Sequence, residues 1–164
     1  MAISKEKKNA ISEKLASVLA GAASVVFVRF HKLSVADTAA VRKQLKQEGV
    51  GYYVAKKTLI KRALAQKGFA GELPPLEGEI ALAWSEEDPT APARLIWAAG
   101  KKYKDALAIA GGVFEEAFAD AAKMLSIATI PPLPALRGMF ANVINSPRSR
   151  LAIALAEVAK TKTS

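Results

Sequence analysis

The feature that most constrains the fold is a cluster of three prolines within five residues, Ile130-Pro131-Pro132-Leu133-Pro134. Proline has no backbone N–H and a fixed φ, so such a run favours a stiff, extended link over a helix or a strand. The chain should therefore have a globular part before the cluster and a separate segment after it. We predict a globular domain over residues 1–129, a proline-rich hinge over 130–134 and a helical arm over 135–164.

The region before the prolines alternates short apolar segments with segments of helical periodicity. β-Branched and aromatic composition predicts four strands, at 24–30, 52–55, 79–85 and 106–114. Apolar spacing predicts helices at 4–20, 34–48, 58–67, 88–103 and 119–126, with start signals at Ser34, Thr58 and Asp88 and a stop signal at Gly68. Strands that alternate with helices indicate an α/β fold, here a small sheet flanked by helices and followed by a projecting C-terminal helix.

The arm carries an apolar stripe at helical spacing, renewed beyond Asn145-Ser146-Pro147, where a proline should interrupt the helix. The stripe consists of Leu136, Met139, Phe140, Val143, Ile144, Leu151, Leu155 and Val158. It can either pack on the sheet as a last core helix or lie in the groove of a separate protein. The proline link and a length of about 38 Å for roughly 25 helical residues favour a separate partner.

Positive charge is concentrated in the first part of the chain. Of the formal net charge of +9, residues 1–67 carry 14 Lys/Arg against 4 Asp/Glu, whereas residues 68–130 are net acidic. Strand ends and helix starts are natural positions for phosphate contacts, since free N–H groups add to the side-chain charge. The sequence therefore predicts a nucleic-acid interface formed by Lys5, Lys7, Lys8, Arg29, His31, Lys32, Lys56, Lys57, Thr58, Lys61 and Arg62.

Two adjacent tyrosines bear on how RNA would be read. Tyr52 and Tyr53 alternate across a predicted strand, so at most one can face outward. A base-stacking platform needs exposed aromatic rings. Recognition of the backbone and shape of a folded RNA is therefore favoured over the reading of a single strand.

Catalytic and cofactor chemistry finds little support in the sequence. The chain has no cysteine and a single histidine, which excludes disulfides, thiolate metal sites and histidine-rich metal sites. The acidic runs Glu86-Glu87-Asp88 and Glu115-Glu116 are typical of solvated loops rather than of acid/base pairs. We predict no catalytic residue, metal or cofactor. A small hydrolase that uses His31 is kept as an alternative to the nucleic-acid-binding interpretation. No apolar run is long enough for a membrane span, and the start does not look like a signal peptide, so we expect a cytoplasmic protein.

Several segments in order along the chain resemble the bacterial large-subunit ribosomal protein "L-ten" family, the family of the ribosomal stalk base. The segments are VVFVRFHKLSVADTAAVRKQL, GVGYYVAKKTLIKRAL, ALAWSEEDPTAPARLI, GGVFEE and the apolar tail. Two departures stand out. The family has an acidic residue and an arginine–glycine pair before its Leu-Ser/Thr-Val motif, where this chain has Arg29, His31 and Lys32. It also has an arginine/lysine–asparagine pair before Thr58, where this chain has Lys56-Lys57.

The resemblance implies named partners for both parts of the chain. It implies that the α/β domain binds large-subunit rRNA near the neighbouring ribosomal protein "L-eleven". It also implies that dimers of the acidic stalk protein dock on the C-terminal helix and recruit the translational GTPases. Two apparent docking segments, 137–146 and 149–158, predict two dimers. The alternative is a free nucleic-acid-binding regulator, such as a translational repressor of its own message, that homodimerises through this helix.

Overall fold

The chain forms two compact units, Met1–Ile130, here called the body, and Pro131–Ser164, here called the arm. The computed structural model describes residues 5–71, 73–103 and 106–162, with the side chains of residues 5–8 left out. Prolines 131 and 132 lie at the start of the arm, whereas Leu133 and Pro134, expected in the hinge, already belong to its helix.

The body contains five strands and five helices among the residues that the structure describes. The strands are β1 (Ser24–Phe30), β2 (Gly51–Val54), β3 (Glu79–Ser85), β4 (Leu107–Phe114) and β5 (Ala117–Asp120). The helices are α1 (Lys5–Gly21), α2 (Val35–Gln47), α3 (Lys57–Lys67), α4 (Ala91–Lys102) and α5 (Ala121–Ala128). The arm is a single helix, α6 (Leu133–Lys162).

The five strands form one sheet in the order β2-β3-β1-β4-β5, and every neighbouring pair is antiparallel. The α/β fold expected from the sequence is confirmed. The strand order, which no local pattern encodes, places β1 at the centre, and its side chains alternate between the two faces. Val25 and Phe27 pack in one cluster with α1 and α3, whereas Val26 and Val28 pack in another with α2, α4 and α5. Helices therefore cover both faces of the sheet.

The fifth strand was missed because its turn lacks the usual residues. Residues 117–120 were predicted as loop and helix start, but they pair with β4 through a two-residue turn, Glu115-Glu116. Both glutamates have positive φ, 52° and 61°, where Asn-Gly is the favoured sequence. Asp120 then caps α5, its carboxylate accepting from the Lys123 N–H at 2.9 Å.

Two predicted helix caps are wrong by two residues. Thr58 lies inside the first turn of α3, and its N-cap is Lys56, which makes no side-chain cap hydrogen bond. Asp88 precedes the Thr90 N-cap of α4 and accepts hydrogen bonds from the Thr90 N–H and hydroxyl, both at 2.8 Å. In contrast, the predicted Ser34 cap of α2 is confirmed, with the Asp37 N–H donating to its hydroxyl at 3.1 Å.

The arm helix continues through Pro147, where the sequence predicts an interruption. A proline inside a helix removes the hydrogen bond to the carbonyl four residues earlier, here that of Val143. A side-chain hydrogen bond spans this position, in which the Ser149 hydroxyl donates to the Asn145 carbonyl at 3.3 Å. The two halves of the stripe thus belong to one helix. Within the described residues, no helix combines the length and apolar character needed to cross a membrane.

Candidate nucleic-acid interface

The sheet topology brings the predicted basic segments to one end of the body. Strands β1 and β2 both run antiparallel to β3 and lie on either side of it, so their carboxyl ends meet where β3 begins. Arg29 is opposite Ile80 and Val54 is opposite Ala81. Two strand spacings of about 4.8 Å separate β1 from β2. The segments 29–32 and 56–58, distant in sequence, are therefore neighbours in the fold.

All the predicted interface residues whose side chains the structure describes are exposed: Arg29, His31, Lys32, Lys56, Lys57, Thr58, Lys61 and Arg62. Among the described residues, none of the cations in this set forms an ion pair with a carboxylate of the protein. We call these eight residues the basic cluster. The side chains of Lys5, Lys7 and Lys8 lie outside the described residues. A cluster of cations without carboxylate partners is an electrostatic surface for a polyanion.

The turn after β1 holds its side chains outward on a constrained backbone. The His31 N–H donates to the Ala106 carbonyl at 2.9 Å, which fixes the start of the turn against the residue before β4. Lys32 then takes a φ of 51°, in the left-handed region. Glycine adopts such a φ without a steric penalty, whereas Lys32 carries a β-carbon there and adds a positive charge to the turn.

The start of α3 presents backbone donors next to lysine side chains. Lys56 is the N-cap, and its carbonyl accepts the N–H groups of Leu59 and Ile60 at 2.9 and 3.1 Å. The first N–H groups of a helix have no carbonyl partner within it, and they attract anions. Lys57 and Thr58 carry these N–H groups, so charge and hydrogen-bond donors coincide here.

The two tyrosines of β2 pack against other elements of the body and do not form an exposed platform for base stacking. Tyr52 packs on the side of α2 and Tyr53 on the side of α1 and α3, and both are half-buried. The Arg42 guanidinium lies 5.7 Å from the Tyr52 ring centre, and the Lys14 ammonium lies 4.9 Å from that of Tyr53. Burial raises the pKa of Tyr52, partly offset by the charge of Arg42. Each ring is thus covered by a cation of its own protein.

The apolar stripe of the arm is exposed along its whole length. None of the described side chains of α6 is buried, and Phe140 and Leu155 expose 69% and 62% of their surface. The exposed set comprises the eight predicted residues, Leu136, Met139, Phe140, Val143, Ile144, Leu151, Leu155 and Val158, together with Leu133 and Ile153. A stripe of this kind is typical of a helix that a second protein covers.

Four positions of the arm repeat with an offset of eleven residues, which the segments 137–146 and 149–158 did not capture. Arg137 matches Arg148, Phe140 matches Leu151, Ala141 matches Ala152 and Ile144 matches Leu155. Eleven residues make about three helical turns, so both copies share one face at an axial distance of about 16 Å. An alignment of the tail with itself would have found this signal.

Comparison with known proteins identifies the family of the chain. The family model described as ribosomal protein L10 matches residues 3–100. A relative from Shouchella clausii, named large ribosomal subunit protein uL10, is 35% identical over 157 residues, which is 96% of this chain and 94% of the relative. Proteins of the same name from Staphylococcus carnosus and Bacillus licheniformis are 34% and 33% identical over the same shares of the chains. The chain therefore belongs to the ribosomal protein L10 family, which is structural and non-enzymatic, as the sequence predicted.

Proposed function

We propose that this protein anchors the stalk of the large ribosomal subunit, with the body bound to rRNA and the arm bound to dimers of the acidic stalk protein. Membership in the L10 family supports the wider statement that the chain is a structural constituent of the large subunit. The observation that carries the finer proposal is the division of the chain. A basic cluster without carboxylate partners among the described residues belongs to one compact unit, and an uncovered apolar stripe belongs to the other.

The body would hold rRNA through phosphate contacts. The basic cluster combines exposed cations with the free N–H groups at the start of α3, and both kinds of group bind phosphate oxygens. The half-buried tyrosines support recognition of RNA backbone and shape. The neighbouring protein "L-eleven" is proposed as a partner only through the family, since nothing in the described part of the body selects its surface.

The arm would carry stalk-protein dimers on its apolar face. Two copies of the repeat support two dimers, one on each copy, and the arginine shared by the copies adds positive charge beside an acidic partner. Several tethered copies raise the local concentration of the domains that recruit translational GTPases. In this proposal the chain makes and breaks no bond, and its place in the cell is the ribosome.

The RNA half of the proposal is tested by replacing Lys56, Lys57 and Arg62 with alanine together. We expect weaker binding to large-subunit rRNA and a flatter salt dependence, by roughly 0.7–0.9 in slope for each phosphate that the variant no longer neutralises. Lys43→Ala with Lys46→Ala on α2 is the control, because these lysines are exposed but lie outside the basic cluster. An unchanged slope in the triple variant would place the RNA surface elsewhere.

The arm half is tested by native mass measurement after co-purification with the acidic stalk protein. We expect one copy of this chain with two dimers. Leu155→Asp should leave one dimer, on the first copy of the repeat, because a carboxylate replaces an exposed apolar side chain of the second copy. A homodimer of this chain without any stalk protein would favour the alternative of a free regulator that associates through α6.

A further inference from the structure

A shallow, open cavity lies at the end of the sheet beside part of the basic cluster. It has a volume of about 530 Å³, which falls within the range of about 300–1,000 Å³ typical of ligand pockets. Its walls come from α1, the end of β1, the β2–α3 connection and the start of β3. Its lining includes the apolar residues Ile11, Phe30, Val54, Leu59 and Ile80.

Positive charge lies at one side of this cavity, where α3 begins. Lys56, Lys57 and Thr58 belong to the basic cluster and also line the cavity. Phosphate groups bound by these residues would hold a nucleotide chain directly across the opening. An occupant that is anionic on its outside and flat and apolar on its inside fits this distribution, and a nucleotide has that character.

We infer that this cavity receives one unpaired base of the bound RNA, while the phosphates on either side of that base contact Lys56 and Lys57. The inference rests on the proposed function, since it needs RNA on this surface. It adds a contact to a nucleobase where the basic cluster alone offers only contacts to phosphates. Bases that lie in loops and bulges can be turned outward in this way, because no partner strand holds them.

The cavity also offers a means to select among bases. Glu79 lines it, and among the described residues Glu79 forms no ion pair. A carboxylate accepts hydrogen bonds from the exocyclic amine of cytosine or adenine and repels the carbonyl oxygen that uracil has instead. If a base enters here, we expect one that bears an amino group to be preferred over uracil.

Filling the cavity without changing its charge tests the inference. Ala55→Leu and Val54→Met each add aliphatic volume at the wall and remove no cation, and the second is a milder change at a residue that is 39% exposed. The probe is the shortest transcript of the large-subunit rRNA that keeps the full affinity of the whole molecule. We expect each variant to weaken binding by roughly 5- to 100-fold, the range for removing one stacked base, with an unchanged salt slope.

Ala40→Leu is the matched control, because it adds the same volume on an exposed part of α2 and should leave affinity unchanged. Thermal melting identifies any variant that fails to fold. A second measurement removes the base, but not the phosphate, from each unpaired nucleotide of the transcript in turn. One such abasic position should weaken binding to the native protein and have no further effect with Ala55→Leu. Uracil placed there should weaken binding to the native protein more than to Glu79→Gln.

The outcomes separate this inference from the proposed function. Full affinity in both filled variants, or the absence of any abasic position that couples to Ala55→Leu, would overturn base insertion. The rRNA interface would still stand if the triple substitution of Lys56, Lys57 and Arg62 reduced the salt slope. Failure of that triple variant to alter binding would overturn both proposals together.

Discussion

The body and the arm contain the same kinds of apolar side chain, but the body buries them and the arm exposes them. Leu82 of β3 is 1% exposed, because it packs in a core cluster with residues of α1 and α3, whereas Leu155 of α6 is 62% exposed. Both lie in regular secondary structure and in apolar segments. The difference shows that an apolar pattern identifies surface that needs covering, and that only the rest of the fold decides whether the same chain covers it.

The largest test of this contrast is removal of the arm. A chain that ends at Ile130 should keep a folded body, because the compact unit ends there and its core clusters contain no residue of α6. We expect its melting temperature to change by a few degrees at most and its rRNA binding to persist, with complete loss of stalk-protein capture. Circular dichroism melting and co-purification measure the two outcomes. Unfolding of the shortened chain would mean that α6 is part of the core.

Matched leucine substitutions sharpen the contrast at single residues. Leu82→Ala should cost about 2–5 kcal/mol of unfolding free energy, because it leaves a cavity in a close-packed core. Leu155→Ala should change that free energy by less than about 0.5 kcal/mol, because the side chain is already in solvent. Urea denaturation of each variant gives the comparison. Equal losses in the two variants would contradict the assignment of α6 to a partner.

Removal of backbone strain from the body should give a smaller, stabilising effect. Glu115 and Glu116 both adopt left-handed φ values, which cost roughly 1–2 kcal/mol for each residue with a β-carbon. Asn-Gly suits such a turn, so Glu115→Asn with Glu116→Gly should raise the unfolding free energy by about 1 kcal/mol. Glu115→Gln with Glu116→Gln is the control, since it removes the charges and keeps the strain. If the control stabilises the body as much, charge repulsion rather than backbone strain is the cause.

The smallest effect concerns pH and the start of α4. Burial acts to raise the pKa of Asp88, but hydrogen bonds from Thr90 and the nearby Arg94 guanidinium hold it below its ordinary value. A carboxyl whose pKa is lower in the folded state stabilises the fold above its unfolded pKa of about 3.9, and this contribution disappears as pH falls through the folded value.

Asp88→Asn should therefore lower the melting temperature slightly near neutral pH and make little difference in strong acid. Melting curves of the two proteins across this range check the direction. Glu87→Gln, on an exposed neighbour, is the control and should show no such pH-dependent difference. A constant difference between native protein and Asp88→Asn at every pH would show that the charge of Asp88 has no role.

Local signals predicted most of the elements of the body. Ser24–Phe30 and Glu79–Ser85 were predicted with the observed bounds, because continuous β-branched and apolar runs between polar ends define a buried strand. Gly68 ends α3 as expected, with its φ of 68° in the left-handed region. The short strand β5 was missed, because its two-glutamate turn carries no turn signal and its pairing with β4 comes from the sheet.

For the candidate site as well, the sequence predicted the residues of the basic cluster but not how the fold brings them together. Sequence position alone identified the exposed cations, because Lys and Arg at strand ends and helix starts have solvent on most sides. It could not show that Arg29 and Lys56 lie at one end of the sheet, since this follows from the strand order. It also could not show the cavity beside them, which is formed by residues from several separate elements.

The amino-acid sequence by itself determined where the chain divides, that residues 1–67 are strongly basic and which face of the tail is apolar, because proline, charge and helical periodicity act over a few residues. The tertiary structure alone decided the order of the strands and the meeting of 29–32 with 56–58. These depend on contacts between residues far apart in the chain, and their free energy comes from packing that no local pattern records.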